Sequence, residues 1–185
     1  MRIVDWDRLM ASAMEQKQLV AALRAGKVII YPTDTVYGIG CNAESARAVA
    51  RLRRLKGTDQ PLSVIAPGKA WILEHCIADA TWLDRLPGPY TLVLPKKQPM
   101  LRAAAPGDSL GVRLPDHPFT GFVAQAGVPF VTTSVNRHGA PHATRLADMD
   151  HDVSEFVDII IDAGMLSGQP SRVVDLTGPE PCVLR

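Results

Sequence analysis

Two short segments concentrate hydroxyl, amide and glycine residues directly after apolar, β-branched runs: Tyr31 to Gly40, YPTDTVYGIG, and Val131 to Ala140, VTTSVNRHGA. Hydroxyls, an amide and exposed backbone N–H groups suit phosphate or carboxylate binding without a dedicated catalytic base. Loops at strand ends are also where α/β sheets place their ligands. Taken alone, each segment reads more readily as a turn than as a site, because Thr, Ser, Asn and Gly are the usual turn residues. Together they point to a site. The absent motifs narrow its chemistry. The chain has no GxxxxGK[ST] phosphate loop, no GxGxxG after a strand, no GxSxG elbow and no HExxH helix, which removes Walker-type ATPases, Rossmann dehydrogenases, α/β-hydrolases and zincins. Of the histidines His75, His117, His138, His142 and His151, only His138 and His142 are closely spaced. They bracket Gly139 and Pro141, where a helical metal-binding face does not form. Cys41, Cys76 and Cys182 are far apart and are expected to be ordinary buried or half-buried thiols.

The elements that must position these loops follow from periodicity. The spacing of Leu9, Ala13, Gln16 and Val20 predicts a helix over Asp7 to Arg24, stopped by Gly26. Lys27 to Pro32 reads as a buried strand ended by proline. After a Thr33 to Gly40 loop come a helix over Ala43 to Leu55, a strand at Leu62 to Ala66, and short helices at Lys69 to His75 and Asp79 to Leu86. Further strands are expected at Tyr90 to Leu94, Leu110 to Leu114, Phe130 to Thr133, Val157 to Ile161 and Val173 to Leu176, with a helix at Phe119 to Ala126. Interleaved helices and strands predict an α/β fold with a mixed sheet, and the long connection Pro95 to Ser109 does not suit a regular doubly wound one.

With 185 residues, 46% of them hydrophobic, and no linker or repeat, one domain over residues 1–185 is expected. No stretch is apolar enough to cross a bilayer, and acidic Asp5, Asp7 and Glu15 stand where a signal peptide would be apolar, so a cytoplasmic protein is expected. A net charge of +1 makes no global case for nucleic acid. The segment Arg47 to Lys56 does concentrate basic residues, with Arg47, Arg51 and Arg54 on one helical side. It reads either as a solvated face or as a phosphate-binding one.

The first loop, PGPYTLVL at Pro87 to Leu94, GVRLPDHP at Gly111 to Pro118, TTSVNRHGAP at Thr132 to Pro141 and SRVVDLTG at Ser171 to Gly178 resemble, in order, the signatures of the YrdC-like family of threonylcarbamoyl-adenylate synthases. The resemblance implies a twisted open mixed sheet with a concave ligand face, in the short single-domain branch. It implies that the L-threonine amine takes up bicarbonate, and that the resulting carbamate attacks the α-phosphate of ATP and expels pyrophosphate. That chemistry needs alignment and charge neutralisation more than a strong base. It further implies ATP as substrate with Mg2+ and no metal held by protein side chains, a downstream tRNA threonylcarbamoyl-transfer machinery, weak tRNA binding at most, and no membrane.

By the same resemblance, Thr35, Arg113, Thr132 and Ser171 are the expected L-threonine contacts. Arg113 would take the carboxylate, a role suited to a guanidinium fork. Lys56, expected near the phosphates and as the catalytic residue, is grouped with Gln60, Ser109, Ser134, Asn136, His142 and Arg185 on the ATP side. The chain departs from the family after Lys56, where Thr58 replaces the arginine of Lys-x-Arg in a shortened loop; Arg53 or Arg54 is the candidate substitute. Two rivals remain: a paralogue without synthase activity that binds RNA or nucleotide, and a carbamoyl-transfer domain of a larger maturation enzyme.

Overall fold

A computed structural model describes residues 1–136, 143–149, 156–166 and 168–185. Strand β1 (Arg2–Asp5) leads into α1 (Trp6–Ala11) and α2 (Ala13–Arg24). The single helix expected here is two, because Ser12 is extended (φ −119°, ψ 103°) and its hydroxyl accepts the Glu15 N–H, capping α2. Next come β2 (Ile29–Tyr31), β3 (Gly38–Gly40) and α3 (Ala46–Lys56). Ser45 caps α3, and Gly57, left-handed at φ 60°, ends it. The chain continues through β4 (Ser63–Ile65), α4 (Lys69–His75), α5 (Ala80–Leu83), β5 (Tyr90–Pro95), β6 (Ser109–Arg113), α6 (Phe119–Ala126), β7 (Phe130–Ser134), β8 (Ile159–Asp162), β9 (Arg172–Asp175) and β10 (Cys182–Val183).

The strands form a sheet in the order β1-β8-β2-β3-β7-β4-β6-β5-β9-β10. It is mixed: β1/β8, β2/β8, β4/β6 and β5/β9 are parallel, and the other neighbours antiparallel. Alternate residues of each strand face opposite sides. Ile30, Ile39, Val64, Leu92, Val112, Val131 and Val174 pack on one side with Val49 and Leu52 of α3, Ile72 of α4 and Leu83 of α5. Ile29, Tyr31, Ile65, Phe130 and Ile161 pack on the other with Leu9 of α1, Leu19 and Leu23 of α2, and Phe119 and Phe122 of α6.

Strand β3 lies inside the segment expected to be loop. Its glycines hide its strand character and are there for space: a Cβ on Gly40 would sit 1.7 Å from the Val131 carbonyl oxygen of β7. Cys41 and Cys76 are buried as expected, whereas Cys182, on the terminal strand, is exposed. We expect Gly40→Ala to force β3 and β7 apart and to cost about 1–3 kcal/mol or more, read as a lower urea midpoint. An unchanged midpoint would show that the pair tolerates the methyl group.

Candidate functional site

Helices α1, α2 and α6 cover only the β1 half of their side of the sheet, where the strand residues are apolar. On the half running from β7 through β4, β6 and β5 to β9, the residues of that side become Thr132, Ser63, Arg113, Thr91 and Val173. They line a cavity of about 290 Å³, completed by Thr35, Ser134, Pro170, Ser171, Leu184 and Arg185 among others. Four interstrand gaps of roughly 4.8 Å make this floor about 19 Å wide.

Arg113 ends β6 and is almost fully buried. Its Nη2 donates to Asp34 Oδ1 at 2.7 Å and, more weakly, to Thr35 Oγ1 at 3.4 Å. The other oxygen of Asp34 accepts the Asp116 backbone N–H at 3.1 Å. Burial pushes the Arg113 pKa down, and the Asp34 charge opposes that shift. Arg113 Nε is buried with no partner among the described residues. A buried donor left unmade costs ~1–3 kcal/mol, and Arg113 is one of the residues that line the cavity. Around this cation Thr33 Oγ1 bonds Thr35 Oγ1 at 2.9 Å and the Val36 carbonyl at 2.7 Å, holding the first loop. Thr91 and Ser171 share a buried hydrogen bond of 2.9 Å.

Lys56 lies behind the cavity wall. Its ammonium donates to the carbonyl oxygens of Ser134, at 2.8 Å, and Asn136, while burial lowers its pKa to about 8. Asn136 also accepts the Ser134 hydroxyl. Arg53 is committed elsewhere, donating to the carbonyls of Ala103, Ala104, Thr58 and Gln60. Arg54 is exposed, and Arg51 pairs with Asp158 at 2.7 Å.

This uncovered polar face can be set beside known proteins. The Sua5/YciO/YrdC family model, described as telomere recombination, matches residues 21–185. The chain belongs to this family. Its relatives include a threonylcarbamoyl-AMP synthase of Chromohalobacter salexigens, 37% identical over 87% of this chain and 92% of that protein. A threonylcarbamoyl-AMP synthase of Bos taurus is 34% identical over 86% of this chain. The fold matches Pyrococcus abyssi Sua5 complexed with L-threonine with a TM-score of 0.83 at 29% identity, covering 100% of this chain. The chain spans 63% of the Bos taurus protein and 56% of that Sua5 chain.

Of the family positions expected from sequence, the fold gathers Thr35, Arg113, Thr132, Ser134, Ser171 and Arg185 around one cavity. Ser171, which could have been a surface residue before a strand, is buried. Asn136 and Lys56 stand directly behind the wall. Two positions lie outside the lining: Gln60 is exposed beside Pro61, and Ser109 begins β6, four residues before Arg113 and about 13 Å along the strand. His142 falls outside the described residues. Asp34, Thr91 and Ser63 went unassigned. The available signal was alternation, since Thr91 and Ser63 are polar residues in otherwise apolar strands.

The placement of Lys56 sets a pH dependence. Its folded pKa, about 8, lies below the ordinary 10.5, so between those values the unfolded chain holds a proton that the folded chain has released. The Lys56 contribution to stability therefore rises with pH across this window and is flat below about 8. Urea unfolding at pH 7.5 and 9.5 should show wild type gaining stability relative to Lys56→Met. A gap that does not change with pH would mean that Lys56 titrates normally.

Proposed function

We propose that this chain is a nucleotidyltransferase that makes threonylcarbamoyl-adenylate from L-threonine, bicarbonate and ATP, supplying N6-threonylcarbamoyl modification of adenosine in tRNA. The observation that carries this reading is the unpartnered, buried Arg113 Nε beside a hydroxyl-lined cavity. Relatives named threonylcarbamoyl-AMP synthase and a threonine-bound Sua5 of the same fold support it.

The threonine carboxylate meets Arg113 Nε, and the hydroxyls of Thr35, Thr132 and Ser171 surround the amino acid. The threonine nitrogen bonds to the carbon of bicarbonate and water leaves, giving a carbamate. A carbamate oxygen then bonds to the α-phosphorus as the bond to pyrophosphate breaks. No group in the cavity need act as a strong base; holding two anions in line supplies the acceleration. The nucleotide lies toward Ser134, Asn136 and Arg185. Lys56 acts from behind that wall, as a charge and a clamp on the Ser134 and Asn136 carbonyls. Among the described residues no cluster of three or more His, Cys, Asp or Glu could hold a metal, so Mg2+ would enter on the triphosphate oxygens. The product passes to a tRNA threonylcarbamoyl-transfer machinery. We place the reaction in the cytoplasm; among the described residues no helix is long and apolar enough to cross a membrane. The commitment of Lys56 to main-chain carbonyls favours one rival, a paralogue that binds nucleotide or RNA without synthesis.

Pyrophosphate release should require threonine, bicarbonate and ATP together. Release in bicarbonate-depleted buffer would indicate simple amino-acid adenylation, and no release under any condition would leave the binding paralogue. Arg113→Lys keeps a cation beside Asp34 but loses the Nε–H. It should therefore raise the KM for threonine by an amount equivalent to ~1.5–3 kcal/mol, with the KM for ATP nearly unchanged. An unaltered threonine KM would remove the carboxylate role.

A further inference from the structure

Tyr31 closes β2 and is fully buried, yet its hydroxyl makes no hydrogen bond of 3.5 Å or less to any described residue, Thr132 being near it but not closed on it. Buried polar groups left unsatisfied in this way are few, and each calls for a reason. The ring cannot swing away to find one. It stacks on Phe119 with centroids 4.1 Å apart and planes 6° apart, and it meets Phe130 edge-on at 5.6 Å. Across Gly38 it leaves so little room that a Cβ there would come within 2.9 Å of the hydroxyl oxygen. The hydroxyl lies within reach of Thr132 and in the field of Arg113, on the sheet face that carries the cavity, with Tyr31 opposite Gly38 and Gly38 opposite Ser134 in the strand register.

Burial raises the Tyr31 pKa far above neutrality, so the group carries its proton at working pH. A phenol proton turns away from a neighbouring cation, and the side-chain oxygen with which the Tyr31 hydroxyl interacts is that of Thr132. A threonine hydroxyl has one hydrogen to donate and lone pairs to accept. If it accepts from Tyr31, its own hydrogen is left for the cavity.

We propose that Tyr31 is a positioning residue: on ligand binding its hydroxyl donates to Thr132 Oγ1 and so commits the Thr132 proton to the carboxylate held by Arg113. The inference rests on the reading of the cavity as a threonine site. In the empty protein the Tyr31 donor is unmet, which lowers stability. In the filled one it is satisfied and fixes a rotor that would otherwise be free.

Calorimetric titration of L-threonine and of ATP into wild type, Tyr31→Phe, Thr132→Val and the double variant tests this, together with the melting temperature of each. We expect Tyr31→Phe to weaken threonine binding by about three- to tenfold, to leave ATP affinity unchanged and to melt at the wild-type temperature or higher, because it deletes an unsatisfied buried group. In the Thr132→Val background the same change should cost nothing further. Equal threonine affinity of wild type and Tyr31→Phe overturns the proposal, as does a lower melting temperature with unchanged affinity. A loss of equal size in both backgrounds overturns it too, since Tyr31 would not then act through Thr132. Wild type that binds no threonine removes the functional reading and this inference with it, an outcome distinct from a silent Tyr31→Phe in a protein that binds.

Discussion

The ion pair between Arg113 and Asp34, 2.7 Å long and nearly buried at both ends, is the constraint around which the rest of this site is arranged. A guanidinium at the end of an inner strand is tolerated only with a partner. The partner comes from the loop after β2, four strands away in the sheet order. The pair thus ties the first loop to the end of β6, and Asp34 extends the tie by accepting the Asp116 N–H. Asp34 accepts from Nη2, and Nε has no acceptor among the described residues. Lysine could neutralise Asp34 but could not present a second, fixed donor.

That arrangement needs a sheet face without helices. On the β1 half, α1, α2 and α6 bury apolar strand residues, with Tyr31, Phe119 and Phe130 packed ring on ring. The change at β7 is abrupt: Phe130 belongs to this packing, and Thr132, two residues later on the same side, already faces the cavity. The segment after β8 closes the rim. Tyr37 bonds Asp162 and the Gly164 carbonyl, and Gly168 N–H donates to the Thr35 carbonyl at 3.2 Å. Ser171 is thereby brought to Thr91 across 80 residues of chain.

Which of this was legible follows from the kind of signal each part leaves. Apolar, β-branched runs such as those of β2, β5 and β7 are largely buried and announce themselves. Strand β1 does not, because only Val4 of its four residues is buried, and β10 is exposed throughout. Strand β3 is disguised by glycines that β7 and Tyr31 require. Ser12 splits one helical period into two helices without interrupting the apolar spacing of Leu9, Leu19 and Leu23. In the site, residues inside ordered motifs could be proposed from sequence, as Arg113 and Thr132 were. Asp34 stood in the same loop, but its role depends on where the end of β6 lies, and no local pattern encodes that. The Thr91 and Ser171 pair and the unmet Tyr31 hydroxyl have the same origin: each becomes visible only when strands distant in sequence are neighbours.

The departure after Lys56 is where local chemistry and fold bear most directly on each other. At the C-terminus of α3 the helix dipole favours a cation, and Gly57 turns the chain so that Lys56 points inward to the carbonyls of Ser134 and Asn136. One turn earlier, Arg53 spans the carbonyls of Thr58 and Gln60 on one side and Ala103 and Ala104 on the other. The loop after α3 is therefore braced from within by an arginine outside the cavity lining. The Thr58 carbonyl is part of that brace. Positive charge at the Ser134 end of the cavity then comes from a lysine behind the wall, while Arg185 lines the cavity where it donates to the Ser171 carbonyl at 3.4 Å. A buried ammonium acts through a medium of lower dielectric than water, so its field reaches the Ser134 end of the cavity with less screening than an exposed charge would have. The cost of that position is desolvation, which lowers the Lys56 pKa. The same burial that extends the reach of the charge makes it easier to lose.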